Sequence, residues 1–273
     1  QPAKSKPEKL YFPFKDSSRS RTFRKKFYPE ISRLEWFDWR WQFQNAIRDV
    51  SALDAIIHLS ENERQAMMHP SGGLPVAITP YYASLISPQD PCSPLRRSVV
   101  PVIDECLHTK GEAEDPLCED ADSPVPGIVH RYPDRVLFLV TDVCSTYCRY
   151  CTRSRIFGSQ PQHFIETAKW ENALSYIASN PNIRDVLLSG GDPLTLTDEK
   201  IERLLIRLKK IPHVEMIRIG TKAPVVLPQR ITPRLVRMLR QAGAYYLSIH
   251  FSHPNEVTPE VERALATIAD GGI

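Results

Sequence analysis

The sequence predicts an α/β protein with a parallel sheet, either open or curling into a barrel, behind a helical N-terminal region. Three observations predict it. Short apolar runs fall at 136–140, 185–188, 214–219 and 245–249, each the length of a buried strand. Helical patterns separate them, with apolar residues spaced i, i+3, i+4, i+7. The runs start 49, 29 and 31 residues apart, which suits right-handed βα units.

Taken in order, residues 1–30 come first. Nine Lys/Arg stand against Glu8 and Asp16 in positions 1–26, which predicts a solvated, disordered basic tail. Residues 31–129 read as a helical region with loops. Leu34, Phe37 and Trp41 recur at helical spacing beside Trp36, Trp39 and Phe43, an aromatic cluster suited to packing. Pro-rich breaks follow at 87–91 and 123–127. From 130 to 273 the βα rhythm takes over. Its helices carry Trp170, Ala173, Leu174 and Ile177; Ile201, Leu204, Leu205 and Leu208; Leu235, Met238, Leu239 and Ala242; and Val261, Ala264, Leu265 and Ile268. Thr232-Pro233 and Thr258-Pro259 read as helix starts, Gly243 and Gly271 as helix ends. The last residues, Gly271-Gly272-Ile273, fall where another strand would begin, so a piece of a longer protein is expected.

Bulk properties narrow the function. Hydrophobic residues make up 42% and charged residues 25% of 273, an ordinary globular balance. A net charge of +3 gives no reason to expect nucleic acid, and no stretch approaches the ~20 apolar residues of a membrane helix. Three of six cysteines crowd into eight residues, which points to metal chemistry in a reducing compartment, hence the cytoplasm or an organelle interior.

Those cysteines carry the chemistry. Cys144-Ser145-Thr146-Tyr147-Cys148-Arg149-Tyr150-Cys151 is C-x3-C-x2-C directly after the first apolar run, where parallel α/β folds bind ligands. Three thiolates can hold three irons of a [4Fe–4S] cubane that normally takes four. The fourth iron is left open, as in catalytic metal sites. Zinc would want a second ligand pair, for which only His130 and His163 offer themselves. Cys92, Cys106 and Cys118 read as ordinary thiols. One βα unit later, Ser189-Gly190-Gly191-Asp192 forms a second turn at a strand end.

This combination resembles the radical S-adenosylmethionine (SAM) superfamily, and within it the lysine 2,3-aminomutase family. The strings that carry the likeness are 39–42, 78–82, 122–135, 144–153, 185–192, Ile219-Gly220, 224–233 and 253–256. The resemblance implies a partial parallel (β/α) barrel. It implies a [4Fe–4S] cluster on Cys144, Cys148 and Cys151, and SAM against Tyr150, Ser189, Gly190, Gly191 and Asp192. The two glycines would let the backbone approach the methionyl amine. Pyridoxal 5'-phosphate (PLP) would meet Arg131, Tyr132 and Arg135, and Arg153 would grip the substrate carboxylate. Arg149, Arg155 and Lys222 would give structural or electrostatic support, and His250 and His253 plain hydrogen bonds. The lysine that carries PLP and the residues that select the substrate would lie beyond Ile273. An interfacial zinc site of some relatives would be absent or altered, since an apolar residue stands near Leu265.

The implied activity is conversion of L-lysine to L-β-lysine by 1,2-amino migration. Glutamate, arginine or a lysine on a translation elongation factor are alternative substrates, and a non-catalytic iron–sulfur electron carrier is the alternative of another class. The implied partners are a small amino acid, a reductant such as flavodoxin or ferredoxin, and other copies of the chain.

Overall fold

The computed structural model describes residues 16–69, 74–107, 109–158 and 167–273. Five strands form one sheet in sequential order: β1 (Ile128–Tyr132), β2 (Arg135–Thr141), β3 (Asp185–Gly190), β4 (Met216–Thr221) and β5 (Tyr246–Ile249). β2 to β5 run parallel, and β1 pairs antiparallel with β2 through a tight turn. All four apolar runs are strands. β1 escaped notice because Ile128-Val129-His130-Arg131-Tyr132 is short and half polar, so it carries no continuous apolar signal.

Among the described residues seven short helices precede the sheet: α1 (Ser18–Phe27), α2 (Arg33–Trp36), α3 (Trp39–Gln44), α4 (Val50–Asp54), α5 (Glu61–Met68), α6 (Pro80–Ala83) and α7 (Pro94–Arg97). Six accompany it: α8 (Ser154–Gly158), α9 (Thr167–Ala178), α10 (Asp198–Lys209), α11 (Ala223–Val226), α12 (Pro233–Ala242) and α13 (Pro259–Asp270). The start and stop signals hold where they were expected. Thr232 and Thr258 accept hydrogen bonds from Leu235 N and Val261 N, with Pro at the first helical position. Gly243 closes α12 in the left-handed region at φ +97°.

Helices α9, α10, α12 and α13 all pack on one face of the sheet. Val136, Phe138, Val140, Val186, Leu188, Ile217 and Ile219 alternate inward to meet Trp170, Ile177, Leu204, Leu205, Leu235, Leu239 and Ala264. Trp170 also donates its indole N–H to Val140 O at 3.2 Å. Sequential strand order with helices on a single face is barrel winding; a doubly wound sheet would carry helices on both. Leu137, Leu187 and Arg218 alternate to the opposite face.

Two expectations change. Part of the tail expected to be disordered is ordered: Ser18–Phe27 is helix, capped by Ser17, with Phe23 packed against Trp36 and Ser17 N donating to Glu260 at 2.7 Å. Residues 1–15 lie outside the described residues. The aromatic stretch 34–43 is two helices, because Asp38 accepts from Arg40 N and starts a new one. Trp36 and Phe37 are buried, while Leu34 faces solvent.

A second core joins the N-terminal helices to the strand ends. Ile78, Tyr81, Tyr82, Val99 and Val100 pack with Val225 and Val226 of α11 and with Leu227 just after it, and Thr79 Oγ1 donates to Val226 O at 2.5 Å. Buried Arg96 locks this region internally, pairing with Glu63 at 2.6 Å. No helix among the described residues is long and apolar enough to cross a membrane.

Candidate active site

The three cysteines sit in the loop that leaves β2, partly buried, and all are free thiols. The loop is tied down from both sides: Tyr147 N donates to Ala77 O at 3.2 Å and Arg149 N to Ser98 O at 2.9 Å. Arg149 also reaches back to Glu105 at 2.5 Å and to Leu74 O at 2.8 Å. Burial pushes the Cys144 thiol well above its ordinary value, with Asp192, Cys148 and Cys151 adding repulsion. Burial also raises Cys148 and Cys151. Left to the protein alone these thiolates are disfavoured; bound iron reverses that balance, because a coordinating thiol is deprotonated outright. Among the described residues no group of three or more His, Cys, Asp or Glu converges on a position for a single metal ion. A cubane does not require convergence, since each cysteine takes a different iron. The donor set therefore fits the cluster. His163 lies outside the described residues, and His130 is engaged with the Tyr176 hydroxyl at 2.7 Å.

The glycines of the next loop have a task the sequence did not reveal. A side chain on Gly190, which sits at φ +108°, would run into Thr141 O. One on Gly191 would run into Val143 O and stand 2.7 Å from Val143 C and N. Gly191 N donates to Thr141 O at 2.6 Å and Asp192 N to Val143 O at 2.8 Å. The glycines thus let the β3 loop lie against the chain just before Cys144.

Asp192 is similarly committed. Its buried carboxylate accepts from Leu194 N, Thr221 Oγ1, Lys222 N and Ala223 N at 2.7–3.0 Å. Burial raises it, against those four hydrogen bonds. It joins the β3 loop to the β4 loop through protein donors. Beyond it, Lys222 pairs with fully buried Glu256 at 2.9 Å and donates to Ser252 at 2.7 Å. Tyr82 donates to the same Glu256 oxygen at 2.7 Å, so one carboxylate ties α6, the loop after β4 and the segment after β5 together. Tyr150 stands half-exposed beside this group. Its hydroxyl contacts Ser252 and the His250 imidazole, the latter at 3.2 Å, and its ring lies 5.6 Å from the His250 ring. His253 caps the short turn at 254–256 by accepting from Asn255 N at 3.1 Å.

The arginines form a second focus, on the face of the sheet away from α9, α10, α12 and α13. Arg131, Tyr132 and Arg135 line one cavity of about 250 Å³, together with Glu119, Leu137, Leu187 and Arg218. Two guanidinium forks and a phenol suit a phosphate. Each arginine already has a carboxylate: Arg131 pairs with Asp122 at 2.6 Å, Arg135 with Asp134 at 2.9 Å and Arg218 with Asp185 at 2.6 Å. Arg153 joins the cavity wall through Glu119, which it grips with Nε at 2.8 Å and Nη2 at 2.6 Å. Arg155 pairs with Asp115 at 3.2 Å and Asp120 at 3.0 Å. A larger cavity of about 370 Å³ lies under α1, lined by Phe23, Phe27, Ile56 and Ile57, and shares no residue with either focus.

Sequence reasoning missed Glu119, Arg218 and the Tyr82–Glu256 link. The acidic run 112–122 was the visible signal, but which acid meets which arginine is not written in spacing.

Known proteins match this sequence. A sequence family described as the radical SAM superfamily matches residues 138–269, from within β2 through the cysteine loop, the later strands and the helices behind them. L-lysine 2,3-aminomutase of Acetoanaerobium sticklandii is 50% identical over 91% of this chain and 60% of its own length. A putative L-lysine 2,3-aminomutase of Aquifex aeolicus is 41% identical over 91% of this chain and 67% of its own length. The chain belongs to the lysine 2,3-aminomutase family of radical SAM enzymes. Glutamate 2,3-aminomutase of Clostridioides difficile is also similar, 40% identical over 88% of this chain and 56% of its own length. The chain spans about 60% of the length of the first three L-lysine 2,3-aminomutases it matches. Family membership implies a [4Fe–4S] cluster and SAM, and members named aminomutases are isomerases.

Proposed function

We propose that this protein is an amino acid 2,3-aminomutase dependent on a [4Fe–4S] cluster, SAM and PLP, and that its substrate is L-lysine, converted to L-β-lysine. One observation carries the reading: a loop of three thiols leaves the C-terminal end of β2, and strands of the same sheet carry arginines that line one cavity. The relatives named L-lysine 2,3-aminomutase support the substrate.

In this reading Cys144, Cys148 and Cys151 hold the cluster. Tyr150 and the backbone of Ser189, Gly190 and Gly191 flank SAM, with Asp192 holding that loop in place. Arg131, Tyr132 and Arg135 bind the phosphate of PLP, and Arg153 orients the amino acid by its carboxylate. When bound, the cofactors supply a carbon radical that abstracts hydrogen and a conjugated ring that stabilises the migrating nitrogen. The protein's own contribution is orientation and exclusion of water, so that reactive species meet only the substrate. A cytoplasmic setting, electron supply from a flavodoxin- or ferredoxin-type donor and assembly as a homo-oligomer belong to the same proposal.

Anaerobic reconstitution of the full-length protein with iron, sulfide, SAM, PLP and dithionite tests it. L-lysine should yield L-β-lysine, and C148S should abolish both product and cluster. Turnover of L-glutamate in place of L-lysine would move the substrate to that of the Clostridioides difficile relative. A loaded protein that turns over neither, nor arginine, would overturn the aminomutase reading.

A further inference from the structure

We infer that Glu119 is a positioning residue for the substrate carboxylate, acting through Arg153. The inference rests on the proposed role of Arg153 and deepens it.

A guanidinium has two edges that can hold a carboxylate by two parallel bonds: the side edge, Nε with one Nη, and the end edge, Nη1 with Nη2. Glu119 takes the side edge, with Oε2 at 2.8 Å from Nε and Oε1 at 2.6 Å from Nη2. Among the described residues no hydrogen bond engages Nη1. The end edge, where Nη2 still has its second hydrogen, remains for another carboxylate. An arginine with four rotatable bonds is a poor grip unless something fixes its plane. Glu119 does so, and it is itself fixed, with its side chain only 7% exposed against 19% for Arg153.

Position agrees with this role. Glu119 lines the cavity that Arg131, Tyr132 and Arg135 line, so the arginine it aims stands beside the phosphate-binding group. Its neighbours are occupied elsewhere. Asp115 and Asp120 pair with Arg155, and Asp122 with Arg131. Arg155 comes no nearer to Glu119 than 4.0 Å. Of the acidic run, Glu119 alone holds Arg153 among the described residues. Glu119 also balances the charge of Arg153, so the cavity wall gains a fixed fork without gaining an uncompensated cation.

The test compares two probes on the reconstituted full-length protein: L-lysine, and 1,5-diaminopentane, which is lysine without its carboxylate. Binding is read by titration calorimetry, alongside KM and kcat for L-lysine. E119Q should weaken L-lysine binding about tenfold or more, through a misaimed fork, with diaminopentane binding unchanged. The loss should appear mainly in KM, and E119D should recover part of it. R153M should lose L-lysine discrimination altogether. Equal weakening of both probes by E119Q would assign Glu119 a purely structural role and overturn the inference. So would a normal E119Q beside a defective R153M. If R153M itself binds L-lysine like the unmodified protein, the role of Arg153 fails, and that outcome is distinct from the other two.

Discussion

Substituting Gly191 by alanine should uncouple the two loops that build the cluster site. The added Cβ would stand 2.7 Å from Val143 C and N, where 3.0 Å is the practical limit, and nearer still to Val143 O. It must therefore retreat by at least 0.3 Å from two atoms, and further from the oxygen. The obstacle is backbone one residue before Cys144, so no side chain can swing aside. Either the β3 loop lifts, stretching the Asp192 N to Val143 O hydrogen bond of 2.8 Å, or the cysteine loop moves. Overpacking of this kind costs about 1–3 kcal/mol, which lowers the melting temperature by roughly 2–12 °C for a protein of this size. G190A should cost at least as much, because its φ of +108° adds backbone strain to a clash with Thr141 O. The assay is anaerobic reconstitution followed by iron and sulfide content, the cluster's electron paramagnetic resonance with and without SAM, and a thermal melt. Both variants should take up less iron and respond less to SAM. If G191A melts and loads like the unmodified protein, the account of these glycines as a packing device is wrong.

Other outcomes follow from the same geometry. E256Q should destabilise by about 3 kcal/mol, because it leaves the Lys222 ammonium buried without its counter-charge, and urea denaturation will show it. Burial raises Glu63 and Glu256, but hydrogen bonds from Arg96 and Ser60, and from Tyr82 and Lys222, outweigh it and hold both below the ordinary 4.5. A depressed carboxyl contributes stability above its unfolded value and loses it as pH falls through the folded one. The urea midpoint should thus hold down to about pH 5 and drop below it, and the drop should be shallower in E256Q. D192N should cost about 2–4 kcal/mol, since an amide group would face N–H donors that now meet oxygen. A normal melting curve for D192N would refute its role as the clasp between the β3 and β4 loops.

The sequence by itself determined the βα rhythm, the four parallel strands, the helix starts at Thr232 and Thr258, and the three cysteines at a strand end. These are local signals: an apolar period, a capping hydroxyl and a fixed ligand spacing act over a few residues. Tertiary structure decided the rest. It made the winding a barrel by placing α9, α10, α12 and α13 on one face. It turned Gly190 and Gly191 from an open approach into a close packing of two loops. It also assigned Asp192 to the β4 loop, Glu256 to Lys222 and Tyr82, and Glu119 to Arg153. Those partners lie 30, 34, 174 and 34 residues away. A charge or a missing Cβ is indifferent to separation along the chain and answers only to what folding brings near, so no pattern in the sequence could have named them.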